Sequence, residues 1–287
     1  MVTAHNDQST CFMAMASPCV VLVDTDNETL GAEMGEIVKS EALRIEKKYS
    51  PDGPSLVTHI NETAGQAVEV DDETADLIGY SMLCYALSDG LIDITCGPLR
   101  RAWKFDGSGT VPTQIEVRDA LVHVGWRQVS WDRPILRLQR GMEIDFGGIG
   151  KQYAVDRAFA LAEAHSAMPV LVNLGGDLRM SGPRQDGTPW HVAIEDLDDA
   201  NSAAAPPELS GGALATSRDT QGYVNAIRYG RLLNPRTGWP ITDAPRSVTV
   251  HAATCMEAGL LATLALVRGA GAEEFLRIEK VRAWCVR

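Results

Sequence analysis

The sequence predicts an α+β fold, and three observations carry that expectation. Strand-like apolar runs and stretches with helical spacing mix along the chain without a strict β-α-β repeat. The second half is punctuated by glycine turns that follow short apolar runs. No segment recurs at a fixed period, and no tract is of low complexity.

Each element follows from its residues. "CVVLVD" (19–24) predicts a buried strand, ended by the turn formers Asp26-Asn27. Residues 30–48 predict a helix, with Leu30, Met34, Ile37, Val38, Ala42, Leu43 and Ile45 at helical spacing. "YSPDGPS" (49–55) predicts a loop on its proline and glycine content. Residues 72–88 predict a second helix, with Leu77, Ile78, Met82, Leu83 and Leu87 expected to face inward. "SDGLIDITCGPLRRAW" (88–103) opens with a turn before a short apolar stretch. Strand signals follow at 127–138 and 168–174. "DLDDANSAAAPPELSGG" (196–212) is the loosest stretch and predicts a surface or sub-domain excursion. Then come "GALATS", a strand "VNAIRYGRLL", a loop "NPRTGWP", a strand "SVTVHAA" and a helix from about 255 to 267.

Composition narrows the function classes. The 287 residues, 45% hydrophobic and 22% charged, are enough to bury a real core. The net charge of −12 argues against nonspecific nucleic-acid binding and against a polybasic membrane contact. It leaves room for a small anion, because local backbone donors outweigh global charge. The six cysteines form no C-x-x-C pair and no zinc spacing with histidine, so reduced core thiols are expected. The polar N-terminus lacks a secretory pattern, and no apolar run is long enough to span a bilayer. The expected location is therefore the cytoplasm. No histidine pairs at i+3 or i+4 or sits in a serine or cysteine catalytic motif, which leaves zinc-hydrolase and serine-hydrolase readings with little support.

The most informative stretch is "GMEIDFGGIGKQYAVDRAFALA" (141–162). A short apolar stub reaches Asp145, a glycine turn follows, and Lys151 opens a helical pattern. It is not a P-loop, since Asp145 and Gln152 stand where glycine and a hydroxyl residue belong. For the glycines alone, a strand-to-helix turn needing positive φ serves as well as a ligand does. Asp145 shifts the balance. A carboxylate beside free helix amides repels phosphate unless a cation or hydroxyl stands between, which points to a nucleotide whose sugar, base or metal Asp145 holds. A second turn, "VLVNLGGDLRMSGP" (170–183), places Gly175-Gly176 before Asp177. Either turn also reads as a hairpin. "LATSRD" (214–219) and "LLNPRTGWP" (232–240) offer Thr216, Ser217, Asn234, Arg236 and Thr237 as phosphate-type donors, though each alone reads as a surface turn. Thr263 lies in an apolar helix, where such a hydroxyl more often bonds its own backbone.

In order, these segments resemble the FAD:protein FMN transferase family, the ApbE-type flavin transferases. The family's motifs have counterparts in "MAS" (15–17), "YSPDGPSLVTHIN" (49–61), "DGLIDITCGPL" (89–99), "DFGGIGKQYAVD" (145–156), "NLGGD" (173–177), "TSRD" (216–219), "RLLNPRTG" (231–238) and "AGLLAT" (258–263). The resemblance covers almost the whole chain. It implies mixed or antiparallel sheets packed with helices, and one domain over 1–287 with an excursion near 196–212. It implies that Met15, Tyr49, Ile92, Asp93, Asp145 and Lys151 line a flavin nucleotide, with Gly175, Gly176, Thr216, Ser217 and Arg236 completing the binding set. Asp145, Arg231 and Thr263 are the implied catalytic residues, and the Gly148 carbonyl and Thr263 hydroxyl are the implied ligands of Mg2+. The implied reaction moves FMN from FAD to a Thr or Ser hydroxyl of an acceptor protein and releases AMP.

Five positions depart from the family pattern. Arg231 replaces a histidine, Asn234 a common aspartate, Arg218 a glycine, Gln152 the glycine of Lys-Gly, and Gly259 the aspartate of A-D-x-x-x-T. Asp177, Asp219 and Glu257 are the carboxylates in view for the missing anionic ligand. Two other classes stay open: an FAD-binding protein without transfer activity, in an accessory or redox role, and an FAD pyrophosphatase.

Overall fold

The polar N-terminal residues Asp7–Ala14 form the first strand, β1, which turns at Met15-Ala16 into β2 (Ser17–Asp24). The computed structural model describes residues 7–51, 53–103, 111–192, 208–219, 221–224, 227–230 and 232–287. β2 alternates buried Cys19, Val21 and Val23 with half-buried Val20 and Leu22, as a strand with one core face must. Next come α1 (Glu28–Tyr49), α2 (Leu56–Glu62), β3 (Ala67–Glu69), α3 (Asp72–Leu87), α4 (Gly97–Trp103) and α5 (Gln114–Leu121). They are followed by β4 (Ser130–Asp132), β5 (Ile135–Arg137), α6 (Gly150–His165), β6 (Val170–Leu174) and β7 (Asp177–Met180). The short ladder of β8 (Trp190–His191) and β9 (Glu208–Leu209) precedes β10 (Gly212–Arg218) and the hairpin of β11 (Gln221–Val224) and β12 (Ile227–Gly230). β13 (Ser247–Ala252), α7 (Cys255–Leu266), α8 (Ala272–Glu279) and β14 (Arg282–Val286) end the chain.

The main sheet has seven strands in the order β1-β2-β6-β7-β10-β13-β14, and every neighbouring pair is antiparallel. Helices α1, α6 and α7 cover one face. Val170, Val172, Ala213 and Ala215 point into that layer, against Met34, Val38, Ala158 and Ala262. The next residues along the same strands, Leu171 and Leu214, point the other way into a smaller cluster with Leu178, Met180 and Trp190. Strand parity thus divides the core between two faces. A third cluster, Leu99, Trp103, Val117, Val124 and Leu233, ties α4 and α5 to the segment after β12. Trp103 anchors it by donating its indole N–H to the Gly238 carbonyl at 2.7 Å.

Several expectations are corrected. Met82, Leu83 and Leu87 are exposed, not inward. The buried stripe of α3 is Thr74, Leu77, Ile78, Ser81 and Cys84; α3 is apolar around much of its circumference, so spacing alone does not single out the face. The 127–138 strand is two short strands joined through Arg133-Pro134, where proline ends the ladder. "VNAIRYGRLL" is not one strand, since the chain reverses between β11 and β12. The 142–144 stub joins no sheet. Its backbone is held instead by Asn61, whose amide donates to the Ile144 carbonyl at 3.0 Å and accepts the Ile144 N–H at 2.8 Å. Of the 196–212 excursion, residues 196–207 lie outside the described residues. Among the described residues no helix is long and apolar enough to cross a membrane.

Candidate functional site

The loop from Asp145 to Lys151 borders three cavities. Asp145 is pinned first: its N–H donates to the Ile94 carbonyl at 2.8 Å. Its Oδ1 accepts the Gly147 N–H at 2.7 Å, and its Oδ2 meets the Arg100 guanidinium. This carboxylate borders a cleft with Arg100, Arg101, Glu143 and Asn61.

Phe146, Gly147, Gly150 and Lys151 border a second cleft of about 360 Å3, walled opposite by Met15, Glu46 and Tyr49. Tyr49 ends α1, and its ring meets Phe146 edge-on with centroids 5.5 Å apart. Its hydroxyl is tied to Thr74 Oγ1 at 3.0 Å, and burial pushes the phenol's pKa up. Met15 sits at φ 51 in the β1–β2 turn, and Glu46 Oε1 accepts its N–H at 2.7 Å. This wall is largely apolar and aromatic, which suits a flat ring system.

The start of α6 has the character of an anion site. Helices α1, α2, α3, α5 and α7 each carry an Asn, Ser, Asp or Thr cap that accepts a first-turn N–H. α6, like the short α8, has no side-chain cap. Uncapped N–H groups and the positive end of the helix dipole favour an anion there. Lys151 adds a cation in the first turn, where it opposes the dipole and so does nothing for the helix itself. Its Nζ donates to Ser17 Oγ at 3.3 Å.

The glycines of this loop are not demanded by backbone conformation. None of Gly147, Gly148 and Gly150 has positive φ, which corrects the tight-turn expectation. A Cβ added at Gly148 would meet nothing within 4 Å. The Gly175-Gly176 turn differs. Both residues have positive φ, 63° and 95°, and a Cβ on Gly175 would lie 2.5 Å from that of Ser17. This turn brings Asn173, Gly175, Gly176 and Arg218 beside Ser17 and Pro18 on a third surface.

A small cavity of about 40 Å3 lies behind the loop. Gly148 and Ile149 border it from the loop, Gln152 from α6, Gly259 and Thr263 from α7, and Tyr80 and Ile92 from the other side. The two expected metal ligands, Gly148 and Thr263, thus share one cavity. Thr263 is hydrogen-bonded to Ser217 at 2.7 Å across from β10, so its hydroxyl is not confined to its own helix. Asp177 lies beside this region and is almost fully buried. Burial raises its pKa to about 6, against the lowering effect of the Thr216 N–H, Lys151 and Arg218.

Other expected residues lie elsewhere. Asp93 turns inward: Oδ1 takes the Thr95 N–H and hydroxyl at 2.8 and 2.7 Å, and Oδ2 takes the Trp126 N–H at 3.0 Å. Arg236 is tied to Asp89 at 2.5 Å, and Thr216 Oγ1 bonds Thr249 at 2.9 Å. Asp219 accepts the Leu232 N–H and Glu257 the Ala253 N–H, so neither borders the small cavity. Arg231 lies outside the described residues. Sequence reasoning did not mark Glu46, Phe146 or Arg100 as site residues. The only signal for Gln152 was its replacement of a glycine in the family pattern.

Comparison with known proteins follows the same lines. The ApbE family pattern matches residues 15–284. A FAD:protein FMN transferase of Vibrio cholerae is 29% identical over 252 residues, 85% of this chain and 75% of the relative. The Escherichia coli K12 enzyme of the same name is 30% identical over 76% of this chain and 65% of its own length. Among solved structures, an ApbE protein of Thermotoga maritima superposes with a TM-score of 0.87 at 30% identity, covering 97% of this chain and 94% of that one. The apo flavinyl transferase ApbE of Pseudomonas stutzeri does so with a TM-score of 0.83 at 27% identity, covering 98% and 91%. With an antiparallel sheet backed by helices, and with matching motifs along nearly its whole length, the chain belongs to the ApbE family.

Proposed function

We propose that this protein is a FAD:protein FMN transferase. The observation that carries the reading is the loop around Gly148. It joins an aromatic-walled cleft, an uncapped helix N-terminus and a small cavity, and Gly148 leaves open space that the fold does not use.

The flavin ring packs between Met15, Tyr49 and Phe146. The pyrophosphate lies over the start of α6, met by free N–H groups and Lys151. Asp145, held rigid by Arg100 and Gly147, accepts from a hydroxyl of the flavin's sugar chain. An acceptor Thr or Ser hydroxyl attacks the FMN-side phosphorus and gives up its proton to solvent, the bond to the AMP oxygen breaks, and AMP leaves with that electron pair. Positioning and fixed donors supply most of such catalysis. Asp93 and Arg236, whose polar atoms are engaged by protein partners, contribute no free group to it.

Mg2+ fits this site in kind. It needs hard oxygens, and Thr263, the Gly148 carbonyl and Gln152 offer them beside one small cavity. No carboxylate borders that cavity among the described residues, so the nucleotide's own phosphates must balance much of the cation's charge. When bound, the ion stabilises negative charge developing on the pyrophosphate. The strands of the main sheet run from residue 7 to residue 286 in one ladder, which supports one domain over 1–287. The buried thiols of Cys19, Cys84 and Cys255 support a reducing, cytoplasmic location, with an acceptor protein facing that compartment.

The test is incubation of the purified protein with FAD, with and without Mg2+, plus a peptide carrying a Thr acceptor. AMP release should require Mg2+ and accompany an FMN-sized mass gain on the peptide. AMP without modified peptide would indicate a pyrophosphatase. Bound, uncleaved FAD under all conditions would leave a flavin-binding protein and overturn the transferase reading.

A further inference from the structure

A side chain that borders the small cavity carries an unusual atom. Gln152 is only 8% exposed, and its Oε1 is buried with no hydrogen-bond partner among the described residues. A buried amide oxygen without a partner bears the full cost of its desolvation, so native proteins rarely keep one idle. The other end of the same amide is fixed: Nε2 donates to Asp177 Oδ2 at 3.1 Å. Asp177 in turn is held by the Thr216 N–H at 3.0 Å. The amide is thereby oriented, and its oxygen is left over on a residue that borders the same cavity as Gly148 and Thr263.

The space for this side chain comes from α7. A Cβ at Gly259 would lie 2.7 Å from Gln152 Cγ and 3.1 Å from Cδ. A residue larger than glycine at 259 and the present Gln152 conformation exclude one another. The two departures from the family pattern, Gln152 for glycine and Gly259 for aspartate, therefore meet in one contact, with the oxygen-bearing side chain on α6.

We propose that Gln152 Oε1 is the side-chain oxygen that this protein offers to a hard divalent cation in place of a carboxylate at position 259. Amide carbonyls serve hard cations as carboxylates do, but without charge. The cation is then held weakly by the protein alone and more tightly with the nucleotide's phosphates. This assignment rests on the flavin-transferase reading for its physiological nucleotide, but not for its test.

Mn2+ is titrated into the full chain, with and without FAD, and free Mn2+ is read from its EPR signal. FAD binding is read separately in EDTA from flavin fluorescence. Gln152→Met keeps the volume beside Gly259 and removes the oxygen. It should weaken Mn2+ by about tenfold or more while leaving FAD affinity in EDTA within about twofold. Gly259→Asp alone should lower the melting temperature, because its Cβ meets Gln152. The double variant Gln152→Gly with Gly259→Asp should recover that loss and bind Mn2+ at least as tightly as the wild type. Equal Mn2+ affinity in the wild type and Gln152→Met overturns the assignment, as does the absence of a wild-type Mn2+ site in both conditions. Should Gln152→Met fail to fold, equal melting of Gly259→Asp and the double variant overturns it instead. Loss of Mn2+ in Gln152→Met with no FAD binding by any variant supports the assignment and overturns only the flavin reading.

Discussion

The two glycine turns look alike in the sequence and differ in what requires their glycines. At Gly175-Gly176 the fold requires them: both residues are left-handed, and Gly175 presses against Ser17. At Gly147-Gly148 the fold requires neither a left-handed backbone nor, at Gly148, a close contact. The Gly175-Gly176 turn, between β6 and β7, is a structural device that carries the sheet past the β1–β2 turn. The other, leading into α6, leaves space and free N–H groups for something that is not protein. A glycine that the protein itself does not explain is a better pointer to a ligand than one that it does.

Substitution should separate the two. The largest effect is expected from Gly175→Ala, which combines a left-handed φ with overpacking against Ser17. Chemical denaturation should show a loss of about 2–4 kcal/mol. A loss under half a kilocalorie would remove the structural claim for this turn. Gly148→Ala should do the reverse. Its stability should stay within about 0.5 kcal/mol, while AMP release falls on the order of 10²-fold because the methyl group intrudes where the pyrophosphate lies. Normal turnover in that variant would break the contrast between the turns.

Lys151→Met sharpens the same distinction. FAD affinity should drop about tenfold, the loss expected for one charge-assisted contact. Stability should hold or rise slightly, since a cation leaves a helix N-terminus. A clear fall in melting temperature would mean that the bond to Ser17 is structural.

The smallest effect concerns the ground beneath the α6 turn. Glu73 receives Arg44, Lys48 and the Tyr153 hydroxyl, joining α1, α3 and α6. The Arg44 guanidinium, ahead of the other donors, holds its carboxyl down to about 2. A depressed carboxylate contributes stability that is complete above its unfolded value of 4.5 and fades as pH falls toward about 2. Glu73→Gln should flatten the pH dependence of the melting temperature across that window. An unchanged slope would show that the network is neutral for stability.

Much of the candidate site was legible. Asp145, Gly148 and Lys151 stand in one loop that borders the cavities described, and Thr263 borders the small one from α7. Less legible was the direction of each side chain. Asp93 sits in a motif that resembles a ligand segment, yet both of its oxygens are occupied by Thr95 and Trp126. Arg236 reads as a phosphate donor and is tied to Asp89. Met82, Leu83 and Leu87 read as core and lie outside it, because an apolar helix does not declare which face will meet a neighbour.

By itself the sequence determined the α+β mixture and the order of the motifs, because apolar runs, helix spacing and glycine turns are local properties, and the family followed from the resemblance of those motifs. Only the tertiary structure decided that Gln152 fills the room beside Gly259, that Ser217 reaches Thr263, and that two similar glycine turns have opposite reasons to exist. Those are contacts between residues distant in the chain. Their energies depend on the space left once the helices are packed on the sheet, and no local pattern encodes that space.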